Sequence, residues 1–251
     1  MPDWITIRFY EELNDFIHYT KRKKAFNFIL AGKRTIKDII ESLGVPHTEV
    51  DLILVNTNPV HFDYHPQPGD YISIFPKFEA FDISKINLLR PKPLRETRFI
   101  LDVHLGTLAR YLRMTGFDTL YRNDYEDEEI ISTSVAQQRI ILTRDRQILK
   151  NGKVTHGYYV RNTNPGKQLN EIVKRFDLKD QFNPFHHCMV CNGIIQKVDK
   201  TAVEASLLAN TRKAFHEFYQ CSSCKKVYWK GSHYERMMKI ISVCPSSIIH
   251  R

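Results

Sequence analysis

Phe99-Ile-Leu-Asp-Val-His-Leu-Gly-Thr-Leu-Ala-Arg-Tyr-Leu-Arg-Met-Thr-Gly116 decides how this chain of 251 residues folds. Phe99-Ile-Leu101 is a short apolar run, the pattern of a strand buried on both faces, and Asp102 follows it directly. Leu105, Leu108, Ala109 and Leu112 then recur at i, i+3, i+4 and i+7, which predicts one buried helical stripe, and Gly116 ends the helix. Further short apolar runs at Phe117–Tyr121, Arg139–Thr143 and Gly157–Val160 have helical stretches between them. Strands alternating with helices imply βαβ units and a parallel sheet with helices on both faces.

In such a sheet, ligands bind at the carboxyl ends of the strands. Asp102 sits at one such end and Asp145, after Ile140-Ile-Leu-Thr143, at another. A third acidic group, from Asp124 through Asp127 to Glu129, opens the helix after the Phe117–Tyr121 strand. Carboxylates from three segments on one edge suit a hard cation such as Mg²⁺ or Mn²⁺, which polarises a phosphoryl group and supplies a hydroxide-like nucleophile. The same residues have plainer uses. Acids are favoured in a first helical turn, and Asp145 is placed to cap the next helix. Arg110 and Arg113, one turn apart beside the buried stripe, either clamp phosphates or neutralise the acids, and Arg144 and Arg146 around Asp145 carry the same ambiguity.

All five cysteines fall between 188 and 244. Cys188-x-x-Cys191 and Cys221-x-x-Cys224 are two knuckles 29 residues apart, the thiolate spacing of a closed structural zinc site, with Cys244 left over. After the second knuckle, Lys225, Lys226, Tyr228, Trp229, Lys230, His233 and Tyr234 interleave cations with stacking surfaces, a combination that holds single-stranded nucleic acid. The aromatics are equally suited to packing the ribbon against the domain before it.

Ahead of residue 80 the pattern is different. Ile5, Ile7 and Phe9 alternate with polar neighbours, as do Phe26, Phe28 and Leu30. Thr35 with Asp38 makes a capping box before the stripe Ile36, Ile39, Ile40, Leu43, and further strands follow at Leu52–Val55 and Tyr71–Phe75. Two strands, a helix and more strands outline a β-grasp fold. Val55-Asn56, Pro59-Val60, Gly69-Asp70-Tyr71-Ile72 and Ile74-Phe75-Pro76 resemble the sulfur carriers of molybdopterin and thiamine synthesis, but the chain runs on through Lys77–Ala80 without their Gly-Gly tail.

The net charge of +9 is uneven. Residues 1–80 carry nine Lys/Arg against eleven Asp/Glu, residues 81–180 eighteen against thirteen, and residues 181–251 ten against four. The basic part is where a polyanion would bind. No stretch approaches the roughly 20 apolar residues of a membrane span and Met1-Pro-Asp-Trp4 lacks a signal-peptide pattern, so a cytoplasmic protein with reduced thiols is expected.

Taken together, the stretch from Phe99 to Asp118, Asp127-Glu-Glu-Ile-Ile131 and Arg139-Ile-Ile-Leu-Thr-Arg-Asp-Arg146 resemble the Mut-seven C-terminal RNase family from 98 to about 237. Its aromatic tail matches Val227–Arg236, although His187 stands where the family has Arg. The resemblance implies a PIN-like nuclease fold, a β-grasp domain in front, and acidic site residues at Asp102, Asp127 and Asp145, with Asp124 a weaker counterpart. The expected organisation is a ubiquitin-like domain at 1–80, a linker at 81–96, a PIN-like domain at 97–182 and a zinc ribbon with tail at 183–251. The expected activity is metal-dependent cleavage of single-stranded RNA. The alternatives are RNA binding without cleavage and an adaptor whose β-grasp domain docks a protein partner.

Overall fold

The computed structural model describes residues 4–76, 89, 96–242 and 244. The elements run β1 (Trp4–Phe9), β2 (Phe26–Ile29), α1 (Ile36–Ser42), β3 (Leu52–Val55), β4 (Asn58–Pro59) and β5 (Tyr71–Phe75). Then come β6 (Phe99–Leu101), α2 (Gly106–Thr115), β7 (Thr119–Leu120), α3 (Asp127–Gln137), β8 (Ile140–Thr143), α4 (Arg146–Lys150), β9 (Gly157–Tyr159) and α5 (Pro165–Phe176). Last are β10 (Ile195–Val198), α6 (Lys200–Val203), α7 (Ala209–Ala214), β11 (Phe218–Cys221), β12 (Val227–Tyr228) and α8 (Ser232–Ser242). They form two compact units that interleave in sequence, Met1–Arg95 with Ile131–Tyr159, and Glu96–Ile130 with Val160–Arg251. Apart from Leu89 and Glu96, the linker expected at 81–96 lies outside the described residues.

The first unit holds a sheet of order β2-β1-β5-β3-β4, with β1 and β5 parallel and its other pairs antiparallel. Alternation puts Ile5, Ile7 and Phe9 on the face that α1 covers with Ile36, Ile39 and Ile40, all within one core. The expected capping box is present, since the Thr35 hydroxyl accepts from the Asp38 amide and the Asp38 carboxylate accepts from Thr35 N–H. In the same unit β8 and β9 pair in parallel. Polar bonds tie this later segment to the β-grasp part. His47 bridges Glu41 (2.6 Å) and the carbonyl of Val154 (2.9 Å), and the Glu49 carboxylate accepts from Tyr159 N–H at 2.6 Å.

In the second unit β6 pairs in parallel with β7. The stripe Leu105, Leu108, Ala109, Leu112 is buried as its spacing demands. Phe99 packs edge-on against Phe117 and Phe176. The strand expected over Phe117–Tyr121 shortens to two residues, because Gly116 and Phe117 still turn the chain out of α2 with their amides on the Arg113 and Leu112 carbonyls. The parallel sheet flanked by helices is therefore as expected, with β6 equal to its apolar run and β7 shorter than its own.

Gly116 adopts φ +104° and accepts no side chain, since a Cβ would stand 2.2 Å from the Asn183 carbonyl oxygen. That close approach lets Asn183 and Phe185 N–H satisfy the last carbonyls of α2, those of Thr115 and Met114. Gly116→Ala is expected to destabilise the protein by about 2 kcal/mol or more, read as a lower midpoint in urea unfolding.

Candidate nucleic-acid interface and metal centre

The two knuckles fold alike. The amide of Asn192 bonds the Cys188 carbonyl (2.8 Å) and the amide of Lys225 bonds the Cys221 carbonyl (3.2 Å), and both residues are left-handed at φ +69° and +60°. The four sulfurs lie within 4.8 Å of one another, with Cys188–Cys224 at 3.6 Å and Cys191–Cys221 at 3.4 Å. A zinc ion with sulfurs at about 2.3 Å requires edges of about 3.8 Å, so the donor set fits. Gly193 permits the approach of the knuckles, since a Cβ there would meet Ser223 Oγ at 2.5 Å and Cys221 Sγ at 2.9 Å.

The electrostatics agree. Burial pushes the Cys188 thiol up, but hydrogen bonds from Tyr228 (3.0 Å), the backbone amides of Cys191 and Val190, and Cys224 outweigh it and bring the value to about 6. Cys224 is pushed up to about 12, chiefly by burial and then by its neighbouring sulfurs. Four crowded thiols ionise together only around a cation. Cys244 lies outside the cluster, buried, and its burial raises its pKa.

The segment between the knuckles is a small fold of its own. Its strands β10 and β11 form an antiparallel sheet with β12, which follows the second knuckle, and Val198, Phe215 and Val227 pack around a core of Val203, Leu207 and Phe218. Such a core is too small to stand without a staple.

Arg113 fixes the first knuckle to α2 and β7. It is only 3% exposed, and its guanidinium donates to the carbonyls of Thr119 (2.9 Å) and Val190 (2.9 Å). Asn192 completes the seam, donating to Asp118 at 2.6 Å and accepting from Thr119 N–H at 2.9 Å. Burial lowers the Arg113 pKa, opposed by the nearby Cys188 and Cys191 sulfurs and Asp118. Of the two arginines on α2, Arg113 is thus engaged with the knuckle and Arg110 is the exposed one.

This docking creates a groove of about 880 Å³. One side carries His104, Arg110 and Tyr121, and the other Lys226, Tyr228, Trp229 and His233. Tyr121 is held over the start of α2 by its hydroxyl on the Val103 carbonyl (2.9 Å), in space that only glycine at 106 leaves open. α8 packs beside the groove through Met237 and Ile241 on Met114, and Lys179 caps its C-terminal carbonyls.

The other expected cations divide. Lys225 folds back onto the Ser222 carbonyl and does not line the groove, and Lys230 pairs with Glu217. Arg146, expected near phosphate, is used within the first unit. It donates to the Phe16 carbonyl and lies over the rings of Phe16 and Tyr159, at 4.9 and 5.4 Å. Arg144 is half-buried in that unit.

Asp102 is 5% exposed at the carboxyl end of β6, and Asp127 is exposed at the start of α3. Asp145 belongs to the first unit, where its carboxylate caps α4 by accepting from Gln147 N–H at 2.7 Å. Asp124 is exposed in the segment before α3. It forms a two-pronged ion pair with Arg122 (both 2.9 Å), which also reaches Glu129 and lowers the Asp124 pKa. Among the described residues, the cysteines are the one acidic, histidine or cysteine group converging to metal-ligand distance.

A family model described as the Mut7-C RNAse domain matches residues 97–241, and one described as Mut7-C ubiquitin matches residues 3–82. The chain belongs to the Mut7-C RNAse domain family. No curated protein and no solved structure matches it. The order of the two Mut7-C matches is that of the β-grasp and nuclease-like patterns, and the cysteine cluster falls inside the longer match. No described helix is long and apolar enough to cross a membrane.

Tyr121 and Arg122 are not among the residues that the sequence marks as candidates. His104 and Tyr121 belong to a groove whose other wall is more than a hundred residues away, but Arg122 stands two residues before Asp124 and was readable as its partner.

Two outcomes are expected. Purified protein holds about one zinc per chain, measured by elemental analysis, and Cys188→Ser or Cys224→Ser loses it. Arg113→Met leaves buried carbonyls unpaired, costs about 3 kcal/mol and speeds loss of zinc to a chelator.

Proposed function

We propose that this chain is a nuclease that hydrolyses the phosphodiester bonds of single-stranded RNA. The observation that carries the reading is the groove, cationic and aromatic on both sides, and lined by His104 two residues beyond Asp102. The family's description as an RNAse domain supports the reaction. Exposed Trp229 and half-buried Tyr228 offer ring faces to unpaired bases. Arg110 and Lys226 offer charge to the phosphates between them. A duplex, whose bases are already stacked, makes no use of the rings.

Asp102, Asp127 and Asp145 are the residues that would hold Mg²⁺ or Mn²⁺, since an all-oxygen set suits hard cations. When bound, such an ion supplies Lewis-acid charge and a water of lowered pKa. Asp102 contributes a carboxylate fixed at a strand end, and Arg110 offsets charge growing on the phosphate. Residues 1–80, 97–182 and 183–251 serve as recognition, catalytic and zinc-stapled modules. The first offers edge strand β2, with Trp4 and Ile29 paired and exposed, to a protein partner. A cytoplasmic setting keeps the zinc thiols reduced.

A second reading, RNA binding without cleavage, draws on the carboxylates' other engagements, Asp124 with Arg122 and Asp145 as a helix cap.

Labelled RNA incubated with Mn²⁺, Mg²⁺ or EDTA separates the readings. Cleavage is expected with the ions, falling by orders of magnitude in Asp102→Asn and Asp145→Asn while RNA binding persists. Undiminished cleavage in Asp102→Asn sinks the mechanism, and binding with no cleavage under any condition favours the second reading. Binding is expected to weaken with salt, and Arg110→Ala with Lys226→Ala to flatten the log–log slope by about 1.4.

A further inference from the structure

Beside the groove lies a second cavity of about 290 Å³, and the two share Tyr228, Trp229, Tyr234 and Met237. Trp229 therefore stands between them with 37% of its surface exposed. Its position depends on Gly231, where a Cβ would approach the indole Nε1 to 3.0 Å. Tyr219 lines the smaller cavity from β11, and His186, Phe185 and Asn183 line it from the segment that ends α2. Phe185 and Tyr234 lie against each other at 4.7 Å between centroids. Two ammonium groups stand at this cavity, Lys197 and Lys230, which share one carboxylate, that of Glu217, at 3.0 and 3.6 Å. Two cations on one anion leave a net positive charge.

The two volumes suit different guests. Ligand cavities span roughly 300 to 1,000 Å³. The groove is near the upper end, room for a run of strand, whereas the smaller cavity is at the lower end, room for one planar group. Its walls supply what an unstacked nucleobase needs, namely ring faces, an amide and an imidazole for the base edge, and cations for the adjoining phosphate.

The geometry points to a nucleobase subsite here, filled by one base of a single-stranded RNA that turns about Trp229 out of the groove. This rests on the RNA reading of the groove and adds to it a fixed point on the strand. One nucleotide is anchored in this cavity, so its neighbours take set positions along the groove.

The test uses the full chain, zinc-loaded and without added Mg²⁺ or Mn²⁺, and RNA decamers carrying 2-aminopurine at successive positions. In the wild type, fluorescence at a preferred position is expected to be quenched by stacking. Tyr219→Leu is expected to abolish that quenching and weaken decamer binding about tenfold. His186→Ala, a change at an exposed side chain, guards against misfolding and is expected to weaken binding in the same direction. Zinc content and the salt slope stay at wild-type values in both variants. Wild-type affinity and quenching in both variants overturn the subsite while leaving the groove reading in place. A wild-type chain that binds no RNA overturns both.

Discussion

The guanidinium of Arg113 leaves α2 inside the protein rather than toward water, and the arrangement of the second unit depends on it. A buried charge is costly unless every donor finds an acceptor. Here the acceptors are backbone carbonyls from two different elements, Thr119 on β7 and Val190 in the first knuckle. Asn192 repeats the connection with its amide on Asp118 and Thr119. The charge has a second compensation. Four thiolates around a dication carry a net charge of minus two, and Cys188 and Cys191 are the sulfurs whose field acts on Arg113. A dication held there would therefore favour docking of the knuckle, and docking would favour the dication, because each would supply the countercharge or the geometry that the other needs.

From this follows the groove. Tyr228 is bonded to the Cys188 sulfur at 3.0 Å, and Trp229 follows it in the chain. The aromatic wall is thus attached to the cysteine cluster, and its distance from His104 and Arg110 is set by the seam at Arg113. A ribbon with so small a core would not hold such a wall by apolar packing alone. The cysteine cluster accordingly has a part in shaping the groove as well as in folding.

What was legible in the sequence is what repeats locally. The alternation of Ile5, Ile7 and Phe9, the stripe of α2 and the Thr35 capping box each depend on neighbours within a turn or two. The knuckles were legible because tetrahedral coordination requires a fixed short spacing. What escaped has partners far along the chain. Arg146 meets Phe16 and Tyr159, and Asn192 meets Asp118, contacts that no window of sequence contains. Arg113 is an intermediate case. It lies four residues after buried Ala109, on the inner edge of the stripe, whereas Arg110 follows Ala109 directly and turns outward. Helical position could have separated the two arginines, though not named the carbonyls that Arg113 meets.

The same distinction bears on the carboxylates. A residue with one demanding local role is less available for another, and Asp124, doubly bonded to Arg122, is in that position. Asp145 differs, because an N-cap uses one carboxylate oxygen, Oδ1 toward Gln147, and leaves the second oxygen's lone pairs to other donors or to a cation. Asp102 differs again. It has little exposed surface and no side-chain cap bond to the turn it opens. Its position follows from β6, whose three residues are all buried. Of the four acids named from the sequence, Asp102 is therefore the one whose placement owes least to local helix chemistry.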